Sequence, residues 1–287
     1  MQIPPITGES TRVPHPFQKL AQQHYENFPV GSFLVPKVYR APVHLIYAFA
    51  RVADDIADEG TKMPEERIAS LDAWQRALEN ALNGSTEDDF FVRLADVVQR
   101  FTLSPQLLTD LLIAFRRDAG NPVYKTENDV LDYCRYSANP IGRLLLQLFV
   151  CDTEENRLQS DAICTGLQLA NFWQDLSVDI PKGRHYLSDE LLQRHGLERS
   201  DLSIGEKKDA FVAMMKEQVE ATRRLFEQGR PLLKKAPRAL RLELTLVWHG
   251  GMTILKKIAA MGYDTRRRRP SLDAADKAGI FIAAVME

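Results

Sequence analysis

The chain has 287 residues, 45% of them hydrophobic and 26% charged, with a formal net charge of -2. That composition supports a large buried core, excludes a disordered or low-complexity chain, and argues against nucleic acid as a partner, which calls for a clustered basic surface. The three cysteines, Cys134, Cys151 and Cys164, show no CxxC spacing and lie in apolar helical surroundings, which predicts reduced core thiols and a cytoplasmic protein.

In chain order, the opening MQIPPITGESTRVPHP lacks the apolar core of a signal peptide, and residues 1–15 read as an extended arm. A first helix is predicted between Pro42, suited to a first turn, and Gly60, suited to the position just past the end. Further helical periodicity covers 65–82, 90–101, 105–118, 127–151, 155–180, 206–230 and 237–261, with polar or Gly/Pro-rich breaks at 83–89, 118–122 and 180–190. Strand signals are scarce, so the expectation is one all-α domain over 1–287, a bundle of consecutive helices with short connections. Within 127–151 the stretch YSANPIGR should kink its helix at Pro140. Its small residues Ser137, Ala138 and Gly142 serve either close helix packing or a cavity wall. Arg266 to Arg269 read as a solvated turn. The closing apolar stretch AGIFIAAVM is too short to span a bilayer and could dock on the protein or touch a membrane surface.

Two stripes carry chemistry. A helix advances about 3.6 residues per turn, so Tyr47, Arg51, Asp54, Asp55 and Asp58 share one face. One DxxxD pair is cheap for a surface helix, because like charges at this spacing cost ~0.2–0.5 kcal/mol. The second stripe, Asn171, Asp175 and Asp179, repeats the pattern, and Pro181 places Asp179 near a helix C-terminus, where the macrodipole disfavours a carboxylate. Carboxylates set against both their neighbours and a dipole imply a compensating cation. Oxygen ligands without nearby His or Cys favour Mg²⁺, which binds through one or two carboxylates together with substrate phosphates. Two such stripes could hold a diphosphate between them, with Arg51 and Arg184 adding positive charge. No Walker loop or GxGxxG segment points to a nucleotide.

YAFARVADDIAD, NFWQDLSVD and KGRHYL, with HYENFPVGSFLVPK at 24–37, YCRYSANPIGR at 133–143 and GYDTRRRRP at 262–270, resemble the squalene/phytoene synthase family of head-to-head prenyl transferases. Within that family, HYENFP, YSANPIGR and NFWQD followed by KGR are similar to the bacterial branch of hydroxysqualene formation. The resemblance implies a substrate, presqualene diphosphate, that loses diphosphate, rearranges as a carbocation and is captured by water, without a reductant. It also implies functional coupling to a presqualene diphosphate synthase and a squalene-forming oxidoreductase, and an apolar product that would bring the enzyme to the inner face of a membrane. Carried over by position, it makes Asp54, Asp58, Asp175 and Asp179, helped by Asn171, the magnesium ligands. Arg51, Arg184 and Tyr186 would contact diphosphate, with Tyr47 orienting groups in the same pocket and Tyr133 lining the cationic centre. Asn27 and Phe28 fall where condensing relatives have Ser-Phe at the active-site entrance, and the resemblance offers Arg266 to Arg269, against the solvated turn, as basic residues that cap the diphosphate pocket, without telling which one reaches inward. Gln174 stands where many condensing relatives have arginine, a loss of positive charge that suits a substrate with one diphosphate. The alternatives are a condensing synthase of presqualene diphosphate, squalene or phytoene, and a non-catalytic helical scaffold.

Overall fold

The computed structural model describes residues 35–202, 205 and 207–287. The expected arm at 1–15 and the candidates Asn27 and Phe28 lie outside them. Twelve α-helices follow one another among the described residues, with no strand: α1 (Lys37–Asp58), α2 (Pro64–Leu82), α3 (Asp89–Arg100), α4 (Pro105–Ala119), α5 (Glu127–Ser137), α6 (Asn139–Leu148), α7 (Glu154–Asp179), α8 (Asp189–Arg194), α9 (Lys208–Gly229), α10 (Pro231–Lys235), α11 (Arg238–Ala260) and α12 (Ala274–Met286). Several of their starts are set by local side-chain caps. Asp88 Oδ1 accepts from the amides of Phe90 and Phe91, and Thr126 and Asp129 form a reciprocal capping box, each such cap contributing ~1 kcal/mol.

Helix α7 is the axis of the bundle. It packs against α5, α6, α9, α10 and α11, whereas α1 packs against α2, α3, α4 and α6. Helix α7 buries residues all round, from Ile163 and Gly166 to Leu169, Phe172, Trp173 and Leu176, as a helix enclosed by neighbours must. Because α6 touches both α1 and α7, it is the shared wall between the two halves.

Two sequence expectations change here. Helix α1 begins at Lys37, five residues before Pro42, so Pro42 lies inside the helix instead of in its first turn. The YSANPIGR kink is a complete break: Ala138 adopts φ -120° and ψ -46° between α5 and α6, and Pro140 falls in the first turn of the new helix, where a missing N–H costs nothing. Thr165 on α7 donates to the Asn139 side chain at 3.0 Å, which ties the break to the central helix.

Gly142 serves close packing. A Cβ there would lie 2.3 Å from Ser160 Oγ and 2.6 Å from Cys164 Sγ. Gly142→Ala should therefore cost ~1–3 kcal/mol through overpacking, read as a lower Tm in thermal unfolding.

Candidate active site

The two acidic stripes meet, and the reason is local. Asp179 is the last residue of α7; Pro181 then forces a short 3-10 turn, Ile180–Lys182, and Gly183 reverses the chain at φ +71°, in the left-handed region where glycine carries no steric penalty. The reversal delivers Arg184 across to α1, where its guanidinium makes a two-pronged ion pair with Asp58 at 2.6 and 2.8 Å. On α1, Arg51 reaches Asp54 at 3.0 Å and Asp55 at 2.6 Å. The expected members Arg51, Asp54, Asp58, Asp175, Asp179 and Arg184 therefore border one charged cleft.

Negative charge dominates it. Desolvation in the cleft, and after it the Asp58 carboxylate, push the Asp54 carboxyl up to about 7. Asp179 is raised to about 6 by burial and then by Asp175. Asp118, at the end of α4, joins them; burial raises its carboxyl to about 7, against the hydrogen bond from Tyr133, with Asp58 and Asp54 adding to the rise. Asp118 escapes sequence reasoning because it is a lone acid in the polar break at 118–122, and only the packing of α4 against α1 and α5 brings it here.

Tyr133 donates its hydroxyl to Asp118 at 2.7 Å. Its ring belongs to a buried aromatic cluster with Tyr124, Phe172 and Tyr186, in which Phe172 and Tyr186 stack with centroids 3.5 Å apart. Tyr186 is thus buried, and Phe172 and Trp173 are core residues. Tyr133→Phe removes the donor and leaves Asp118 less well solvated; turnover should fall about tenfold and stability by ~1–2 kcal/mol, checked by steady-state rates and Tm on the same sample.

Arg266 to Arg269 are not a solvated turn. Arg266 is 3% exposed, paired with Asp264 and set 3.8 Å over the Phe211 ring. Arg269 reaches into the cleft, with Nε 2.5 Å from Asp175 Oδ1. The segment is strapped to α7 at consecutive residues: Thr265 Oγ1 donates to the Trp173 carbonyl at 2.7 Å, and Gln174, 0% exposed, donates to the Pro270 carbonyl at 2.6 Å. Gln174 thus acts as a tether, and Arg269 supplies positive charge beside the second acidic motif.

Beyond the cleft lies an apolar chamber of about 240 Å³. Tyr47 and Asn171, each one turn before the charged residues of its stripe, line it, so it starts at the charged cleft. On α7 its wall runs from Asn171 back to Ser160, about 16 Å at 1.5 Å per residue. Leu145, Leu146, Ile163, Leu167, Leu244 and Val247 supply most of the apolar surface, and Ser137, Ala138 and Gly142 at the α5–α6 break form part of the wall, so both readings of those small residues hold.

The donor set suits magnesium in one mode. Among the described residues, no three Asp, Glu, His or Cys side chains converge closely enough to hold a metal ion by themselves. Magnesium usually takes one or two carboxylates and fills its remaining positions with phosphate oxygens and water. Burial raises the carboxyls of Asp54 and Asp179, with Asp58 and Asp175 adding to the rise, and a divalent cation would offset both the lost solvation and the repulsion. The residues fit an ion that arrives with an anionic ligand.

A helical bundle with a charged cleft opening into an apolar chamber defines a class of protein suited to a ligand with an anionic head and a hydrocarbon tail. The chain belongs to the squalene/phytoene synthase family, whose model matches residues 21–276. That family is one of head-to-head prenyl diphosphate synthases. The chain is 35% identical over 183 residues to a hydroxysqualene synthase of Sinorhizobium fredii, a match covering 63% of this chain and 61% of that one. To the hydroxysqualene synthase of Rhodopseudomonas palustris it is 33% identical over 208 residues, 72% of this chain and 70% of the relative. Its structure is similar to that of squalene synthase HpnC from Alicyclobacillus acidocaldarius, with a TM-score of 0.80 and 36% identity over 86% of this chain and 93% of the other.

Proposed function

We propose that this protein converts presqualene diphosphate and water to hydroxysqualene and diphosphate. The observation that carries the reading is the junction of cleft and chamber: charged groups for a diphosphate stand at one end of about 16 Å of apolar wall suited to a prenyl chain. Support for the branch comes from the hydroxysqualene synthases, 35% identical over 183 residues and 33% over 208, beside 28% over a longer span of 267 residues for the 15-cis-phytoene synthase of Synechococcus elongatus.

Asp54, Asp58, Asn171, Asp175 and Asp179 would hold magnesium, which, bound with the diphosphate, neutralises the charge that develops on the leaving group. Arg51, Arg184 and Arg269 rest on the carboxylates of the stripes and are placed to turn to diphosphate oxygens once those carboxylates face a cation. The carbon–oxygen bond to diphosphate breaks, with its electron pair leaving on oxygen. The resulting cation rearranges within apolar walls that keep bulk water away, until one water adds through its oxygen and releases a proton. No electron donor is required.

A condensing reaction is the second reading, and Arg269 favours it in one respect. The charge that Gln174 withholds from the second motif is supplied by a different residue, so Gln174 alone does not argue for a substrate with one diphosphate. A paired product assay separates the readings. With Mg²⁺ and no NADPH, presqualene diphosphate should give hydroxysqualene and farnesyl diphosphate should give no hydrocarbon, by mass spectrometry of the extracts. Presqualene diphosphate or a phytoene-type hydrocarbon made from monomeric prenyl diphosphates would install the second reading. Inactivity on all substrates, with no rise in Tm on adding Mg²⁺ and diphosphate, would leave a non-catalytic scaffold.

A further inference from the structure

Helix α12 closes the described chain with its apolar side turned outward. Ile280 and Ala284 face inward and pack on Leu246 of α11. On the other side Phe281, Ile282, Val285 and Met286 are 48%, 59%, 62% and 83% exposed. Between Ala278 and Met286 the exposed positions are filled only by Ala, Gly, Phe, Ile, Val and Met, whereas a helix facing water carries polar residues on its outer arc.

The acids at the two ends of α12 are drawn off this face. Asp273 and Asp276 pair with Lys257 of α11, and Glu287 pairs with Arg230 at 3.3 Å and His249 at 3.0 Å. Lys277, one turn before Phe281, remains exposed beside the patch. A carboxylate-free apolar face bordered by a lysine complements an anionic lipid surface.

Size favours lipid over a second copy of the chain. The four side chains expose on the order of 400–500 Å², large for a monomer but short of the about 800 Å² per partner of a stable protein interface. A bilayer needs no shape-matched partner, and a short helix lying in its interface gains from each side chain it sinks. Helix α12 is 13 residues long, and no helix among the described residues is long and apolar enough to cross a membrane. Directly behind it, α11 presents Leu244 and Val247 to the chamber, so one helix separates the patch from the apolar cavity.

We propose that the Phe281–Met286 face of α12 is a lipid-docking surface that seats the protein on anionic membranes. This goes beyond the reaction proposed above and does not depend on which prenyl diphosphate is used.

The test is flotation of the full chain with vesicles of phosphatidylcholine alone and of phosphatidylcholine mixed with phosphatidylglycerol, with light scattering for oligomeric state. The wild type should float with the mixed vesicles. The double variant Phe281→Ser/Ile282→Ser should lower vesicle partitioning about tenfold or more, and Lys277→Glu should weaken binding to the mixed vesicles only. All three positions are exposed, and an unchanged Tm certifies folding. Absence of flotation by the wild type, or full flotation by the double variant, would overturn the proposal. A wild-type dimer that the double variant converts to monomer, without vesicle binding in either, would assign the face to a second copy instead. The paired product assay fails or succeeds independently of every one of these results.

Discussion

Arg184→Ala should lower turnover by about 10²–10³-fold, the scale of removing one preorganised charge from a site where charge develops. Arg184 is the bridge between the stripes: it holds Asp58 at two points from the far side of the cleft, and Asp118, Asp179 and Asp54 also feel its charge. Without it the carboxylates face one another with less compensation, and Tm should fall by a few degrees at neutral pH. The deficit should depend on pH. At pH 5 the carboxyls raised to about 7 at Asp54 and Asp118, and to about 6 at Asp179, hold their protons, so the loss of a cation matters less. It should widen as pH rises to 8. Arg184→Lys retains the charge and loses the two-pronged geometry, so it should recover most of the Tm and only part of the rate. A Tm deficit equal at both pH values would show that Arg184 does not compensate these carboxylates.

Asp54→Asn should move activity and stability in opposite directions. Turnover should drop about 10³-fold, because the variant removes a carboxylate from the proposed magnesium set. Yet the metal-free protein should become more stable at pH 7.5. The folded carboxyl, at about 7, lies above its unfolded value of 3.8. Its contribution to stability is therefore full below pH about 4 and lost as pH rises through about 7. Asn stays neutral throughout and escapes that loss. The side chain is 36% exposed, so solvent screening reduces the gain. About 1 kcal/mol, or ~2–4 °C in Tm, is the expected scale. At pH 5 the gain should be smaller, because only part of that stability has been lost, and it should vanish below pH about 4, where the side chain is protonated in both states. Added Mg²⁺ and diphosphate should raise the wild-type Tm and leave the variant nearly unmoved. A variant less stable than wild type at pH 7.5 without metal would mean that Asp54 is held by its arginine more strongly than burial and its neighbours disfavour its charge.

The stripes that produce these opposed effects are legible in the sequence because a local rule suffices to find them. Asp54 and Asp58, and Asp175 and Asp179, sit four residues apart, so the helical period alone places each pair on one face. Gly183 and Pro181 mark the reversal that carries Arg184 in the same local way. The start of α1 is less legible because two prolines compete: Pro36 stands at the N-cap ahead of Lys37, while Pro42, read as the first turn, lies inside the helix.

Contacts between distant segments lie beyond local rules. Nothing around Asp118 distinguishes it from any acid in a polar break, and it enters the site because α4 packs between α1 and α5. Four successive arginines give no indication of which one turns inward. That choice follows from Thr265 and the Pro270 carbonyl binding α7 at Trp173 and Gln174, about ninety residues earlier in the chain, which fixes Arg269 over Asp175. Spacing along the sequence determined an all-helical chain with two carboxylate stripes, since both follow from the 3.6-residue period and from capping. The tertiary structure alone decided which stripe faces which guanidinium, and that an apolar chamber opens beside them, because burial and ion pairing depend on distances between helices that no local period encodes.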